Sequence, residues 1–489
     1  MTLRPTDSSM LLIDGKLVPG SGGTFEIVDP STEEVLGRAA EGTATDLDAA
    51  IDAARRAFDH TDWSRDHAFR AHCLRQLHDA IRGHIDELRE ITIAEVGAPR
   101  FLTAAAHLEG PVDDLLWFAD LAESYSWTHD LGNSSPMGIP THRYLLKEGT
   151  GVVGAITPWN FPHQINFAKI GPALAAGNTV VLKPAADTPW CAALIGRIAA
   201  EETDIPAGVL NIVTSSDHRI GALLAEDPRV DLISFTGSTA TGKSVMRAAS
   251  ESLKKVFLEL GGKSAFLVLD DADLRAACSM AAFTVCTHAG QGCAITTRLV
   301  VPRHRYDEAV EATAKTLQGL RPGDPRDPGT VCGPLISARQ RERVEGYIRL
   351  AVEEGGTIVL GGGRPTEHER GFYIEPTLIS GLDNSTRTAQ EEIFGPVLVI
   401  LPHDGDDDAV RIANDSPYGL SGAVYGTDPD RIARVVASVR TGTLGVNGGI
   451  WYAADAPFGG YKQSGIGREM GLAGFEEYLE TKLVAEPAL

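Results

Sequence analysis

Two side chains of this 489-residue chain could divide one reaction between them. Cys293 stands in Gly290-Gln291-Gly292-Cys293, and Glu259 in Leu258-Glu259-Leu260-Gly261-Gly262-Lys263. A thiolate can attack a carbonyl carbon, and a carboxylate can later take a proton from the water that releases the acyl group. That division of labour is covalent catalysis with hydrolytic release. The two residues are far apart in sequence, so only a fold could bring them together. Glycines flank both where an apolar stretch is interrupted, which marks backbone that turns sharply or approaches a ligand closely.

The elements that must position them come from a chain too long for a single core, and two or three domains are predicted. Hydrophobic residues make up 43%, with few aromatics, as suits packed βα layers. Forty-four basic against 66 acidic residues give a net charge of −22, a field that repels a phosphate backbone and argues against nucleic acid as a partner. Met1 to Asp7 has one arginine and no apolar h-region, and no stretch reaches membrane-spanning length without charges, so the reading is a cytoplasmic protein with no membrane partner. The six cysteines (Cys73, Cys191, Cys278, Cys286, Cys293, Cys332) show neither Cys-x-x-Cys nor zinc spacing, so no metal and no disulfide framework are predicted. Cys286 sits in apolar Phe-Thr-Val-Cys and reads as core, leaving Cys293 as the one thiol with a special setting.

Along the chain, Asp14-Gly15 between apolar residues predicts a hairpin over Leu11 to Val18, and Glu26 to Ala39 continues as extended chain. Thr45-x-x-Asp48 reads as a capping box opening a helix, with further helices to about Ser126. Gly132 to Pro140 is polar and aperiodic and reads as an arm, followed by an extended Thr141 to Leu146. Five apolar runs follow between helical patterns: Val152 to Ile156, Thr179 to Leu182, Val209 to Val213, Val230 to Phe235 and Lys255 to Leu260. This alternation predicts a parallel, doubly wound sheet. Strands around Phe266 to Leu269, Arg298 to Val301, Val397 to Leu401 and Gly422 to Tyr425 predict a second α/β domain, and the acidic cluster Asp404 to Asp408 a loop feeding a helix N-terminus. Gly237 to Ser244 also matches a Walker A loop literally. A P-loop NTPase is therefore an alternative, although a glycine-rich helix start serves a dinucleotide equally well and the ATPase reading leaves Cys293, Glu259 and Asn160 without a role.

Ordered matches then accumulate: Pro158-Trp159-Asn160-Phe161-Pro162, Lys169 before Gly171-Pro172-Ala173-Leu174, Gly177-Asn178-Thr179, Leu182-Lys183-Pro184 and Phe235-Thr236-Gly237-Ser238. With the two motifs above, Glu392-Ile393-Phe394-Gly395-Pro396 and Pro457-Phe458-Gly459-Gly460-Tyr461-Lys462, the chain resembles the NAD(P)-dependent aldehyde dehydrogenase superfamily over nearly its whole length. The resemblance implies an α/β fold: a Rossmann-like cofactor domain over 1–127 and 150–260, a catalytic domain over 261–462, and oligomerisation or bridging elements over 128–149 and 463–489. It implies Cys293 as nucleophile, Asn160 with the Cys293 N–H as oxyanion donors, Glu259 as base and Lys169 as an aid to proton movement or a plain ion-pair or surface lysine. Lys183 resembles the adenosine-ribose lysine, Ser238 the helix-start group on pyrophosphate and Glu392 the nicotinamide-ribose anchor. Ile156, Thr157, Pro158, Trp159, Ala186, Thr236, Gly237, Leu260, Gly261 and Phe394 complete the implied cofactor cleft.

One position departs from the family pattern. Three residues after Lys183 the family often has a Glu that repels a 2′-phosphate, and here it is Ala186, so NAD is predicted as cofactor with some tolerance of NADP, Asp187 compensating in part if it points inward. Phe161, Ala168, Gly292, Ala294, Trp451, Tyr452 and Phe458 are the implied substrate pocket, and its apolar character favours a medium-sized aliphatic, aromatic or terpenoid aldehyde. Glu259 favours water over coenzyme A as acyl acceptor, against the alternative of an acylating semialdehyde dehydrogenase, and retention of Cys293, Asn160 and Glu259 argues against a purely structural relative. Strand addition through the arm and the tail from Tyr478 to Glu486 implies a homodimer or homotetramer.

Overall fold

The five apolar runs between Val152 and Leu260 become adjacent strands because each is apolar on both faces and is buried by helices on both sides. The computed structural model of the protein describes residues 10–488, so the stretch Met1 to Asp7 lies outside the described residues. These runs form Val152–Ile156, Thr179–Lys183, Leu210–Ile212, Leu232–Thr236 and Lys255–Glu259, all parallel. They sit inside an eight-stranded sheet whose order is 465–466, 255–259, 232–236, 152–156, 179–183, 210–212, 11–13, 16–18. Strand order therefore reverses at Val152–Ile156, and the crevice beyond the strand carboxyl ends at such a switch point is where α/β sheets bind ligands. One face packs on helices Pro162–Ala175 and Pro189–Glu202, the other on Ala44–His60, Arg219–Glu226 and Thr239–Ser250.

A second, seven-stranded sheet runs 357–360, 377–380, 397–403, 296–302, 264–268, 422–425, 445–446, parallel except at its first strand, around its own core. A third sheet joins Leu479–Pro487, Thr141–Gly149 and Thr128–Ser134 in antiparallel register. The doubly wound sheet, the second α/β layer and the β arm match the predicted architecture.

Local differences have physical reasons. The capping box is two residues earlier than expected: Thr43 and Asp46 exchange cap hydrogen bonds, and Thr45 and Asp48 already lie inside Ala44–His60. The polar stretch from Gly132 begins as strand, because Gly132 at φ +72 sits at a bulge that lets Thr128–Ser134 stay paired. Thr357–Leu360, Thr377–Ser380 and Gly445–Val446 escaped the sequence reading, being short and lacking alternation of their own.

Asn178 ties these layers together. Its Oδ1 accepts from Gly151 N at 2.8 Å, and its Nδ2 donates to Ala173 O at 3.3 Å and to Tyr478 O at 3.0 Å. It is fully buried, so Asn178→Ala strands the Gly151 amide, while Ala173 O keeps the residue-178 N–H and Tyr478 O keeps the Thr150 N–H. The expected result is a loss of roughly 1–3 kcal/mol, read as a lowered urea or thermal midpoint, with the C-terminal strand becoming protease-sensitive first.

Candidate active site

Parallel register sets the row on which the site is built. Ile156 pairs with Lys183 and with Phe235, and Thr236 pairs with Glu259, so the predicted residues Ile156, Lys183, Thr236 and Glu259 end adjacent strands side by side. Glu259 is 2% exposed and neither carboxylate oxygen has a hydrogen-bond partner among the described residues. Gly459, at φ +154, makes room for it: a Cβ there would lie 2.7 Å from Glu259 Oε1. Burial holds the Glu259 carboxyl well above the usual carboxylate range, with the nearby charge of Glu469 adding and Lys169 and Arg468 opposing.

Lys169 is wholly buried, so the surface role is excluded. Its Nζ donates to Glu469 Oε1 at 3.0 Å and to Ser234 Oγ at 3.0 Å, and it lies 5.1 Å from the Phe257 ring centroid. Two buried carboxylates thus share one ammonium, and Glu469 has the contact. Glu469 was missed by the sequence reading, since it is 300 residues from Lys169 and belongs to none of the motifs.

The nucleophile loop follows helix Leu274–Cys286. His288, Ala289 and Gly290 are all left-handed, at φ +50, +51 and +71, which swings the chain out of the helix toward Cys293. Only Gly fits the third position, since a Cβ would stand 2.1 Å from Gly395 O. Gln291, fully buried, locks the turn: Nε2 donates to His288 O and Pro334 O, each at 3.2 Å, and Oε1 accepts from Ile336 N at 2.9 Å. Asn160 Nδ2 donates to Gln291 O at 2.9 Å, which brings the predicted oxyanion amide against the loop that holds Cys293. Cys293 is half-buried as a residue while the other five cysteines are buried. Its thiol is nonetheless desolvated, and burial pushes it up, ahead of the carboxylates of Glu392, Glu259 and Glu469. Burial is the largest of these causes. Cys286 ends its helix within the second core, as expected of a packing residue, and burial raises it as well.

Several of the predicted cofactor residues stand at, or contact the chain just beyond, the same strand ends. Thr157 N donates to Lys183 O at 3.2 Å, and Ser238 caps helix Thr239–Ser250 by accepting from Thr241 N at 3.2 Å. Glu392 Oε1 accepts from Gly262 N at 2.9 Å, and a Cβ at Gly261 would lie 2.4 Å from its other oxygen. Trp159 meets Phe394 edge-on at 5.4 Å. The Walker-like stretch does not form a phosphate loop: only Gly237 and Ser238 separate strand from helix, Gly242 is inside the helix against Leu260, and Lys243 Nζ donates to Gln463 at 2.9 Å. Ala186 and Asp187 follow Lys183 half-buried.

Aromatic rings form the remaining wall. Trp451 and Phe458 stack at 5.4 Å and 10°, with Tyr452 at 6.3 Å from each. Phe458 exchanges two backbone hydrogen bonds of 2.6 Å with Glu469, fixing this wall to the carboxylate cluster. Phe161 reaches Gly292, 3.6 Å from where its Cβ would be, and stacks on His107 at 4.1 Å. Ala168 is buried, and Ala294 is half-buried beside Cys293.

Gly290→Ala tests the turn. Left-handed strain and the clash with Gly395 together cost several kcal/mol at the loop. The expected outcome is a lower thermal midpoint and a strong loss of Cys293 alkylation selectivity, measured by peptide mapping after limited iodoacetamide.

Comparison with known proteins agrees with this geometry. The profile of the aldehyde dehydrogenase family matches residues 17–484. A 3-succinoylsemialdehyde-pyridine dehydrogenase of a Pseudomonas species is 42% identical over 479 residues, covering 96% of this chain and 97% of its own. The crystal structure of a Mycobacterium tuberculosis aldehyde dehydrogenase complexed with NAD+ superposes with TM-score 0.93 at 42% identity, covering 97% of each chain. A variant of aldehyde dehydrogenase C from Pseudomonas syringae, complexed with NAD+ and octanal, gives TM-score 0.93 at 38% identity over 99% of this chain and 97% of that one. A cysteine set apart from the other five, an amide against its loop, a buried carboxylate and a switch-point crevice, matched over nearly the whole chain, make this protein a member of the aldehyde dehydrogenase family.

Proposed function

We propose that the protein oxidises an aldehyde to the carboxylic acid with NAD, through a covalent intermediate on Cys293 and hydrolytic release. The observation on which the reading rests is the grouping of Cys293, Asn160 and the partnerless Glu259 beside the Lys169–Glu469 pair. The Cys293 thiolate attacks the aldehyde carbon, and the Asn160 amide with the Cys293 N–H receives the developing oxyanion as a thiohemiacetal forms.

The crevice fits a dinucleotide. Lys183 is a buried cation at a strand end, the capped helix start at Ser238 suits a pyrophosphate, and the missing side chain of Gly261 lets Glu392 stand close to the backbone at the nicotinamide end. Lys183, Ser238 and Glu392 would hold NAD there, and the bound cofactor would supply the acceptor for the hydride of the thiohemiacetal carbon, so that Cys293 is left carrying a thioester. Glu259 then draws a proton from a water that attacks the thioester carbonyl, the carbon–sulfur bond breaks, and the acid leaves as the thiolate is restored.

The substrate class follows from the wall. Phe161, Trp451, Tyr452 and Phe458 surround the approach with rings, and small Ala168 adds width, which suits a medium-sized apolar aliphatic, aromatic or terpenoid aldehyde. The pyridine semialdehyde and octanal named for two relatives are compatible with such a wall. In the same reading, 1–127 with 150–260 holds the cofactor, 261–462 supplies the nucleophile, and 128–149 with 463–489 joins subunits of a cytoplasmic homodimer or homotetramer. Among the described residues no helix is long and apolar enough to cross a membrane.

Two experiments check the chemistry. Glu259→Gln is expected to lower turnover by about 10²–10⁴ while keeping a first burst of NADH in stopped flow, and added coenzyme A is not expected to raise wild-type turnover. The pH dependence has a definite sign. The Glu259 carboxyl titrates well above the usual carboxylate range, so its basic form grows as pH rises through that raised range, and hydrolysis of the thioester grows with it. Glu469→Gln removes a like charge and leaves the Lys169 ammonium to Glu259, so the rising limb of kcat should move to lower pH; an unmoved or alkaline-shifted limb contradicts the assignment.

A further inference from the structure

Lys183 is 5% exposed, and Val213 N donates to Leu182 O at 2.9 Å, so the loop Thr214 to Ser216 starts beside the strand end that bears Lys183, with the carboxylates of Glu41, Asp187 and Asp217 near enough for their charges to act on it. They differ in how they are held. Asp217 is occupied by Arg219, whose Nε and Nη2 donate to its Oδ2 at 2.9 and 2.7 Å. Asp187 lies among Arg339, His218 and Lys183, and its burial favours the neutral acid. Among the described residues Glu41 has no cationic partner within ion-pair distance, and neutral donors fix it instead. Ser216 N donates to Oε1 at 3.0 Å, Ser216 Oγ to Oε2 at 2.6 Å, and Ser215 Oγ also to Oε1.

The main chain around Glu41 is equally constrained. It follows strand Val35–Ala40 and precedes the Thr43 cap. Gly22 N donates to Glu41 O, and Glu41 N to Gly23 O, both at 2.9 Å. Gly42 N donates to Thr214 O at 2.8 Å, and Thr214 Oγ1 to Ala40 O at 2.7 Å, closing the loop bearing Glu41 onto the loop bearing Ser215 and Ser216. A cavity of about 750 Å³ opens there, lined among others by Glu41, Thr43, Ser216, Asp217, Ile220 and Leu223. A carboxylate held by serines of the loop beside Lys183 can accept a hydrogen bond from a ribose hydroxyl and repels a phosphate dianion at the same place.

We infer that Glu41 excludes a 2′-phosphate from the adenosine end of the crevice, and so sets a preference for a nucleotide with a free 2′-hydroxyl in place of the acid missing at Ala186. The inference rests on the reading of Lys183 as the adenosine-ribose lysine. It reassigns cofactor selectivity to a residue far upstream of the strand it serves. The basic group lining the cavity, Arg219, is neutralised by Asp217 and leaves this preference in place.

The test is calorimetric binding of 5′-AMP and adenosine 2′,5′-bisphosphate to the full-length protein, without aldehyde. Wild type should bind 5′-AMP more tightly. Glu41→Gln should shift the ratio of the two affinities about tenfold toward the bisphosphate, and adding Ala186→Glu to it should restore the original ratio. Glu41→Asp, which keeps the charge but withdraws it by one methylene, should move the ratio in the same direction by a smaller factor, and it serves alone if Glu41→Gln fails to fold. An unchanged ratio in the folded variants overturns the role of Glu41. Lys183→Ala should weaken both nucleotides; if it weakens neither, the placement of the adenosine end is what fails, whatever the ratios show.

Discussion

One buried ammonium faces two buried carboxylates, and the site depends on that imbalance. Lys169 cannot neutralise both Glu469 and Glu259 in a dry interior, so the contact with Glu469 leaves Glu259 with neither an ion pair nor a hydrogen bond. Burial and the nearby charge of Glu469 raise the proton affinity of that carboxyl well above the usual carboxylate range, and a higher proton affinity makes its ionised form a stronger base toward a water molecule. Removing Lys169 would leave two carboxylates with no cation between them. Removing Glu469 would let Glu259 become an ordinary ion-paired carboxylate. The structure maintains neither extreme.

Packing holds the imbalance in place. Ser234 Oγ receives a second Lys169 hydrogen bond, and Tyr478 Oη reaches the same hydroxyl at 3.1 Å, so the start of the last strand supports the ammonium from behind. Phe458 and Glu469 share a two-bond bridge that couples the aromatic wall to the same cluster. On the other side, three left-handed residues and the buried Gln291 amide aim the thiol loop at Asn160. Each support joins segments from different parts of the chain, which makes the site a product of several layers meeting.

Much of this was legible in the residues. Apolar runs of strand length between helical patterns predicted the five central strands to within a residue or two, because burial on both faces leaves little choice of residue type. The hairpin at Asp14-Gly15 formed as expected, with both turn residues left-handed. Glu259, Lys183 and Thr236 stood at strand ends because their motifs follow apolar runs directly. The Walker-like match misled for the opposite reason: a short pattern of glycines and a lysine does not specify whether Gly242 belongs to a loop or to a helix.

By itself the sequence determined the fold class and the family, and it singled out a candidate nucleophile, oxyanion amide and base in order along the chain, because those follow from local pattern and motif. Only the tertiary structure decided that Lys169 is buried with Glu469 rather than exposed, that Glu259 is left partnerless, and that Glu41 stands near Lys183 among two serines. The reason is that charge balance in a low-dielectric interior depends on which groups are within a few ångströms, and those neighbours come from segments hundreds of residues apart.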